Sequence, residues 1–186
     1  MARKEEHRNR DQLLESCLAE FVRSGTLDLS LDRLAEAIGS SKRMLIHYFG
    51  GRDAIEEMAM SLLEDRLRGR VRASAFPAGT SLRSVVAALW EQTTSAESRG
   101  VLRLIMDLTR RSWSGSPRAK RFFEEQQRAW NELLLEFLPD PGAVEALLQL
   151  FQGAVLVYLV TGDRERGRRA LDRFISTETK SQRTKK

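Results

Sequence analysis

Apolar residues recur at helical spacing along almost the whole chain, and this periodicity limits the fold more than any other feature. One helical face, with a period of 3.6 residues, is formed by Leu13, Leu14, Cys17, Leu18, Phe21 and Val22. Comparable stripes continue as far as residue 176, separated by glycine and proline at Gly25, at Pro77 and in the Ser114–Pro117 loop. No stretch of any length alternates as a strand does. The sequence therefore predicts an all-α fold.

Composition and charge narrow the class of protein. The single cysteine, Cys17, rules out an internal disulfide and a cysteine-rich zinc site, which is consistent with a reducing cytoplasm. The N-terminal residues lack the apolar segment of a signal peptide. The net charge of +5 does not by itself indicate DNA binding, because residues 163–186 carry the whole excess. A case for DNA must come from local clusters.

The most apolar segment runs from Ala143 to Thr161 and is nearly long enough to span a bilayer. Glu145, Gln149 and Gln152 interrupt it with polar groups that are costly in hydrocarbon. A helix that is apolar nearly all round is otherwise buried on several sides. We therefore expect its own subunit to cover one side and a second subunit another, with no membrane contact.

Residues 30–49 predict a helix, a four-residue turn and a second short helix. Ser30 is a suitable N-cap for the first helix, and Gly39 ends it. This is the layout of a helix-turn-helix, in which the second helix enters the major groove of DNA and the first braces it. Residues 39–52 contain no acidic residue and three cations, Lys42, Arg43 and Arg52. The positive local charge favours contact with DNA phosphates.

The second helix of this motif has two chemically different faces. Leu45 and Phe49 are four residues apart and can pack together against Leu34 of the first helix. We expect Ile46 to lie beside them in the core. The opposite face is formed by Arg43, Met44 and His47.

A run of residue types between Arg10 and Met58 matches a known pattern. In register, the chain has Ser30, Leu34-Ala35, Gly39, Ser41, Lys42, Leu45, Tyr48-Phe49, Arg52-Asp53 and Ala54-Ile55. This stretch resembles the TetR-type (TetR/AcrR) transcriptional regulators. It departs from the family at four positions: Ser40 replaces the usual valine, Arg43 a usually small residue, Met44 a Thr, Ser or Ala, and Ile46 a common phosphate-contacting tyrosine.

The resemblance and the charge of the second helix together predict the contacts with double-stranded operator DNA. The predicted residues are Ser30, Ser40, Ser41, Lys42, Arg43, Met44, His47, Tyr48 and Arg52. Phosphate contacts set affinity and its salt dependence, whereas contacts with base edges set sequence preference. Which of these residues contact bases is left open by the departures from the family, and exposure to solvent explains His47 equally well.

The resemblance also implies the domain organisation. Residues 1–56 would form a three-helix DNA-binding domain, residues 57–176 a helical effector-binding and dimerisation domain, and residues 177–186 a disordered basic tail. In the family, the last two long helices dimerise and the second domain encloses a ligand pocket. A homodimer presents two recognition helices, which suits a palindromic operator with half-sites one or more helical turns apart, at about 34–36 Å for each turn.

Aromatic and methionine side chains after residue 57 are candidates for lining such a pocket. The predicted ligand-binding residues are Trp90, Met106, Trp113, Phe123, Trp130 and Phe151, and Phe122 and Tyr158 are further members of the set. This lining would suit a small hydrophobic or flat effector, although each residue taken alone is better explained as core.

These features predict a cytoplasmic, dimeric regulator of transcription, and a repressor that an effector releases from its operator. The effector must bind the DNA-incompetent state more tightly. Two alternatives stay open: the same DNA-binding module controlled by a protein partner, and a helical adaptor without DNA binding. The sequence has no Gly-rich phosphate loop, metal-ligand cluster or nucleophile motif, so no enzyme activity, metal or cofactor is predicted.

Overall fold

The computed structural model describes residues 2–73, 76–77 and 79–184, and these contain nine α-helices and no strand. The helices are α1 (Ala2–Ser24), α2 (Leu31–Ala37), α3 (Lys42–Phe49), α4 (Arg52–Ala73), α5 (Leu82–Thr93), α6 (Arg99–Trp113), α7 (Pro117–Leu135), α8 (Pro141–Thr161) and α9 (Arg164–Thr184). The all-α prediction is therefore confirmed.

The helix boundaries follow local signals that are visible in the sequence. The hydroxyl of Ser30 accepts a hydrogen bond from the backbone N–H of Arg33, which caps α2 as expected. Pro117 is the first residue of α7, where its missing N–H leaves no hydrogen bond unmade. Gly162 ends α8 in the left-handed conformation, with φ of +74°, a region that residues with a Cβ avoid.

Helix α9 is longer than its apolar pattern indicates. The predicted disordered tail began at residue 177, but the helix continues to Thr184, and Lys185 and Lys186 lie outside the described residues. No glycine or proline occurs after Gly167, so nothing in the chain stops the helix once its buried stripe has ended.

Contacts divide the chain into two compact units. The first comprises residues 1–70 and 100–124, and the second comprises residues 71–99 and 125–186. The core of the first unit is built by α1 to α4 and is completed by Leu104 and Leu108 of α6 and by Ala119 and Phe122 of α7. The segment 100–124 thus belongs to the unit that contains the helix-turn-helix. The predicted boundary at residue 56 separates the DNA-binding helices from the rest of the chain, and it stays a prediction.

The second unit is packed around Trp90 of α5. Its indole ring lies edge-on to Phe151 at 5.6 Å and to Tyr158 at 6.3 Å between ring centroids. The indole N–H donates to the carbonyl oxygen of Arg164 at 3.2 Å, which satisfies the polar atom that this burial removes from water. A Cβ at Gly167 would lie 2.4 Å from the ring, so only glycine admits α9 this close.

Helix α8 is, among the described residues, the one helix long and apolar enough to cross a membrane by length and composition. A helix at the core of a folded domain passes the same test. Val144, Leu147, Val155 and Tyr158 are buried, so one face of α8 contributes to the core of the second unit.

Candidate nucleic-acid interface

The turn between α2 and α3 is closed by backbone hydrogen bonds around Gly39. The N–H of Ser40 donates to the carbonyl of Ala35 at 2.9 Å, and that of Gly39 donates to Glu36 at 3.2 Å. This pair of bonds is the Schellman arrangement, and it requires the left-handed φ of +66° found at Gly39. Ser41 then caps α3 by accepting from the N–H of Met44 at 3.2 Å. The predicted helix, four-residue turn and helix are therefore present.

Helix α3 buries one narrow stripe and exposes most of its remaining surface. Leu45 and Phe49 are buried in the core of the first unit, as predicted. Ile46 is not beside them, because its side chain is 44% exposed, so that prediction is wrong. Successive helical residues are about 100° apart, which carries Ile46 away from Leu45 and out of the Leu45–Phe49 stripe. A helical projection of the sequence would have found this.

The cations predicted to contact DNA differ in their partners. The Lys42 ammonium lies 2.9 Å from a carboxylate oxygen of Asp32 on α2, and both side chains are exposed. Arg52 is held between Asp28 and Glu56, at 2.8 Å from each. Arg43 is exposed and has no hydrogen bond or ion pair with any described residue. Arg43 is thus the one of these three cations whose donors face solvent without an intramolecular acceptor among the described residues.

The remaining predicted contact residues take various positions around α3. Ser30 and Ser41 use their hydroxyls as helix caps, and Ser40 lies in the turn between the helices. His47 is exposed and packs edge-on against the half-buried Tyr48, with ring centroids 5.0 Å apart. The Tyr48 hydroxyl has no hydrogen bond to any described residue, so its donor is available.

Arg52 is part of an ion-pair network that includes Asp28 and Glu56. Its guanidinium group also donates to the carbonyl of Leu27 at 3.4 Å, so it joins the loop after α1 to the start of α4. The hydrogen bond with Asp28 is the main reason that the pKa of Arg52 is raised above its ordinary value. This pairing gives Arg52 a structural role, in addition to the predicted contact with phosphate.

The network continues from α4 to α6. Arg111 lies 3.3 Å from Glu56 and 3.1 Å from Asp107. Asp107 in turn accepts hydrogen bonds from the hydroxyl of Thr26 at 2.9 Å and from the N–H of Leu27 at 3.2 Å. A chain of paired charges therefore connects α6 with the loop that positions α2.

The ionisation of Asp107 depends on these donors. Burial is the largest single influence and opposes the charged form. Hydrogen bonds from Arg110, Thr26 and Leu27, together with the charge of Arg111, outweigh burial and hold the pKa of Asp107 below its ordinary value. The carboxylate is therefore charged at neutral pH, although its side chain is largely buried.

The predicted ligand-binding residues are divided between the two units. Met106, Trp113 and Phe123 belong to the first unit, and Trp90, Trp130 and Phe151 belong to the second. Of these six, Trp90 and Phe151 are in ring contact, in the packed core described above. Trp113 is 86% exposed at the end of α6. Their role in ligand binding stays a prediction.

The first unit contains a cavity of about 370 Å³ that none of these six residues lines. Its apolar lining includes Leu27, Met60, Leu108 and Pro117, and its charged lining includes Asp53, Glu56, Arg111, Arg118 and Arg121. Most of these charges are already paired, Arg111 with Glu56 and Arg118 with Glu57. Among the described residues, no group of His, Cys, Asp and Glu could hold a metal ion.

Several solved structures share this fold. A TetR-family transcriptional regulator from Streptomyces coelicolor superposes with a TM-score of 0.75 at 20% identity, over 90% of this chain and 79% of that one. A proposed TetR-family regulator from Rhodococcus sp. gives a TM-score of 0.72 at 19% identity, over 91% and 98%. A TetR-family regulator from Bordetella parapertussis gives 0.58 at 20% identity, over 91% and 93%. No family model and no curated protein matches the chain.

At these identities the similarity establishes the fold. The chain has the fold of the TetR-family transcriptional regulators, and the similarity covers nine-tenths of the chain. The resemblance inferred from residues 10–58 is therefore confirmed at the level of the fold, and so is the expected architecture of a helix-turn-helix followed by further helices.

Proposed function

We propose that the protein is a DNA-binding transcriptional regulator that inserts α3 into the major groove of its operator. The observation that carries this proposal is the division of α3 into a buried stripe and an exposed face with an unpaired cation. Leu45 and Phe49 fix the helix to its unit, while Arg43 and His47 project from the opposite side. A fold shared with TetR-family regulators supports the same function.

The difference in ion pairing between Arg43 and Lys42 indicates different roles in DNA binding. Arg43 has free donors at the middle of the exposed face, and a guanidinium group can donate two hydrogen bonds to O6 and N7 of guanine. Lys42 must exchange the Asp32 carboxylate for a phosphate, which is an easy exchange because an exposed ion pair contributes only about 0–1 kcal/mol. We assign base recognition to Arg43 and phosphate contact to Lys42.

The proposed regulator is a homodimer held together by α8 and α9. The outward face of α8 exposes large apolar side chains, with Leu156 54% exposed and Val160 78% exposed. Gly153 lies on the same face, and a Cβ added there would have no other atom within 4 Å, so a second copy can approach closely. In a dimer with a two-fold axis, this face of α8 in one copy would be covered by the same face of α8 in the other copy.

The proposed control is release of DNA by a small hydrophobic or aromatic effector, so the protein acts as a repressor in the cytoplasm. Met106, a predicted effector contact, is the neighbour of Asp107 on α6. An effector that moves α6 would act on the hydrogen bonds that Asp107 accepts from Thr26 and Leu27, and through them on the loop before α2. The effector must favour the displaced arrangement for this coupling to operate.

The DNA-binding proposal is tested with the full-length protein and double-stranded DNA. An operator is selected from random sequences and from the DNA that flanks the gene. Arg43→Ala should then weaken operator binding by roughly 5- to 150-fold, the range for one lost bidentate base contact. Asp32→Ala should strengthen binding slightly, because it frees Lys42. Arg128→Ala is the matched control, since Arg128 is exposed and unpaired among the described residues but lies on α7.

The outcomes separate the alternatives. An adaptor without DNA binding would select no sequence at all. Equal losses for Arg43→Ala and Arg128→Ala would mean that only net charge matters, which contradicts the assignment of α3. A small molecule that raises the melting temperature in a thermal-shift screen and releases the DNA would support effector control, whereas release of the DNA by a protein partner alone would support the alternative.

The dimer is tested by sedimentation at micromolar concentration. Val160→Glu should give a folded monomer, because the substitution places a charge in the proposed interface. Leu135→Glu is the control, since Leu135 is also an exposed apolar residue but lies at the end of α7. Dimerisation of Val160→Glu with undiminished affinity would place the interface elsewhere.

A further inference from the structure

Two large apolar side chains project from the surface of α3 that the proposed function turns toward DNA. Met44 is 40% exposed and Ile46 is 44% exposed. Neither belongs to the core of the first unit or to the partly buried residues packed against it, although Ile38 and Tyr48 do. Core packing therefore does not account for these two side chains, and both are available for contact on this surface.

The two side chains flank the centre of the exposed face. At about 100° per residue, Arg43 and His47 lie opposite the Leu45–Phe49 stripe. Met44 falls on one side of this centre and Ile46 on the other. When the centre faces the floor of a groove, one apolar side chain thus faces each side of the position reached by Arg43.

The major groove presents one kind of apolar group. The edges of guanine, cytosine and adenine offer only hydrogen-bond donors and acceptors there, whereas thymine adds its C5 methyl group. Isoleucine has no polar atom beyond its backbone, so it cannot bind a phosphate and would leave base-edge donors and acceptors unsatisfied. Contact with a thymine methyl group is the arrangement that buries apolar surface on both partners.

We propose that Ile46 and Met44 recognise thymine C5 methyl groups on the two sides of the base pair contacted by Arg43. This inference rests on the proposed DNA-binding function and adds the chemistry of its sequence preference. It makes Ile46 a specificity-determining residue and predicts thymines flanking a guanine in each half-site.

The test removes the methyl group from the DNA and the side chain from the protein. Each thymine of the selected operator is replaced singly by deoxyuridine, which differs only by the absent C5 methyl group. At two thymines of each half-site the affinity should fall roughly fourfold, the effect of exposing one buried methyl group. Deoxyuridine at thymines outside the half-sites serves as the control and should change nothing.

The protein variants then assign each thymine to a side chain. Ile46→Ala should bind the unmodified operator less tightly and should be insensitive to deoxyuridine at one of the two positions. Met44→Ala should lose sensitivity at the other. Ile46→Val, which keeps a branched side chain, should retain most of the discrimination. The circular dichroism and melting temperature of all three should match the wild type, because the replaced atoms are outside the core.

The results distinguish this inference from the function on which it rests. Sequence-specific binding with no loss at any deoxyuridine overturns methyl recognition but leaves DNA binding in place. An Ile46→Ala variant that keeps the full deoxyuridine effect at both positions overturns the role of Ile46. Failure to select any sequence overturns the proposed function and this inference together.

Discussion

Asp107 offers the sharpest test of how the first unit is held together, because one carboxylate serves both the loop after α1 and helix α6. Asp107→Ala removes the acceptor for the Thr26 hydroxyl and the Leu27 N–H. It also removes the partner of Arg110 and one of the two partners of Arg111, which keeps its ion pair with Glu56. We expect a less stable first unit with a loosened loop before α2.

The magnitude follows from the types of bond lost. A hydrogen bond to a charged group contributes about 1.5–3 kcal/mol, and the two bonds to the loop share one oxygen of the carboxylate. The pair with Arg110 is exposed on the arginine side and adds less than about 1 kcal/mol. The total loss is about 3 kcal/mol, which lowers the melting temperature of a chain of this size by roughly 6–12 °C.

The assay combines thermal unfolding with hydrogen exchange of single amides. The amide of Leu27 donates directly to Asp107, so its protection should fall in Asp107→Ala while amides in the middle of α8 remain unchanged. Asp107→Asn is the matched control, since it keeps one oxygen for Thr26 and Leu27 but loses the charge. Its loss should be about half that of the alanine variant.

The difference in the free energy of unfolding between wild type and Asp107→Ala depends on pH in a direction that the pKa shift of Asp107 determines. Because the pKa of Asp107 is lowered in the folded protein, its contribution is fully present above the pKa of the unfolded chain, about 3.9. The contribution is lost as the pH falls through the lower folded value, so the gap between wild type and Asp107→Ala should be constant from pH 5 to 7 and close in stronger acid. A free energy of unfolding within about 0.5 kcal/mol of wild type at pH 7, with the Leu27 amide still protected, would refute the reasoning.

Three further predictions concern packing. Gly100→Ala should destabilise the first unit by about 1–3 kcal/mol, since the new Cβ would lie 2.6 Å from the carbonyl oxygen of Val22. A Cβ at Gly69 meets nothing within 4 Å, so Gly69→Ala should stabilise the protein by about 0.5–1 kcal/mol. Denaturant unfolding of the two variants measures both effects. Gly167→Ala should lower the melting temperature and change the fluorescence of the buried indole, because its Cβ would collide with that ring. Cys17 should resist alkylation at pH 8 in the native protein and react only on unfolding, since burial raises the pKa of its thiol to about 11; mass spectrometry after a timed exposure measures this.

Local signals in the sequence were enough to predict that the chain is helical and to place the residues of the helix-turn-helix. Ser30 caps α2, Gly39 closes the turn, and Leu45 and Phe49 form the buried stripe of α3, each as predicted. These features depend on residues a few positions apart, because capping bonds, left-handed turns and helical stripes are all made within one or two turns of the chain.

The tertiary structure decided which charges are paired and which side chains are exposed. Thr26 meets Asp107 across 81 residues of sequence, and Arg52 meets Asp28 across 24, so no local pattern announces either pair. The same holds for Leu104 and Leu108, which complete the core of the unit that contains the helix-turn-helix. The number of cations near α3 was therefore known from the sequence, but the isolation of Arg43 became visible only once the acidic partners of the others had been brought into place by folding.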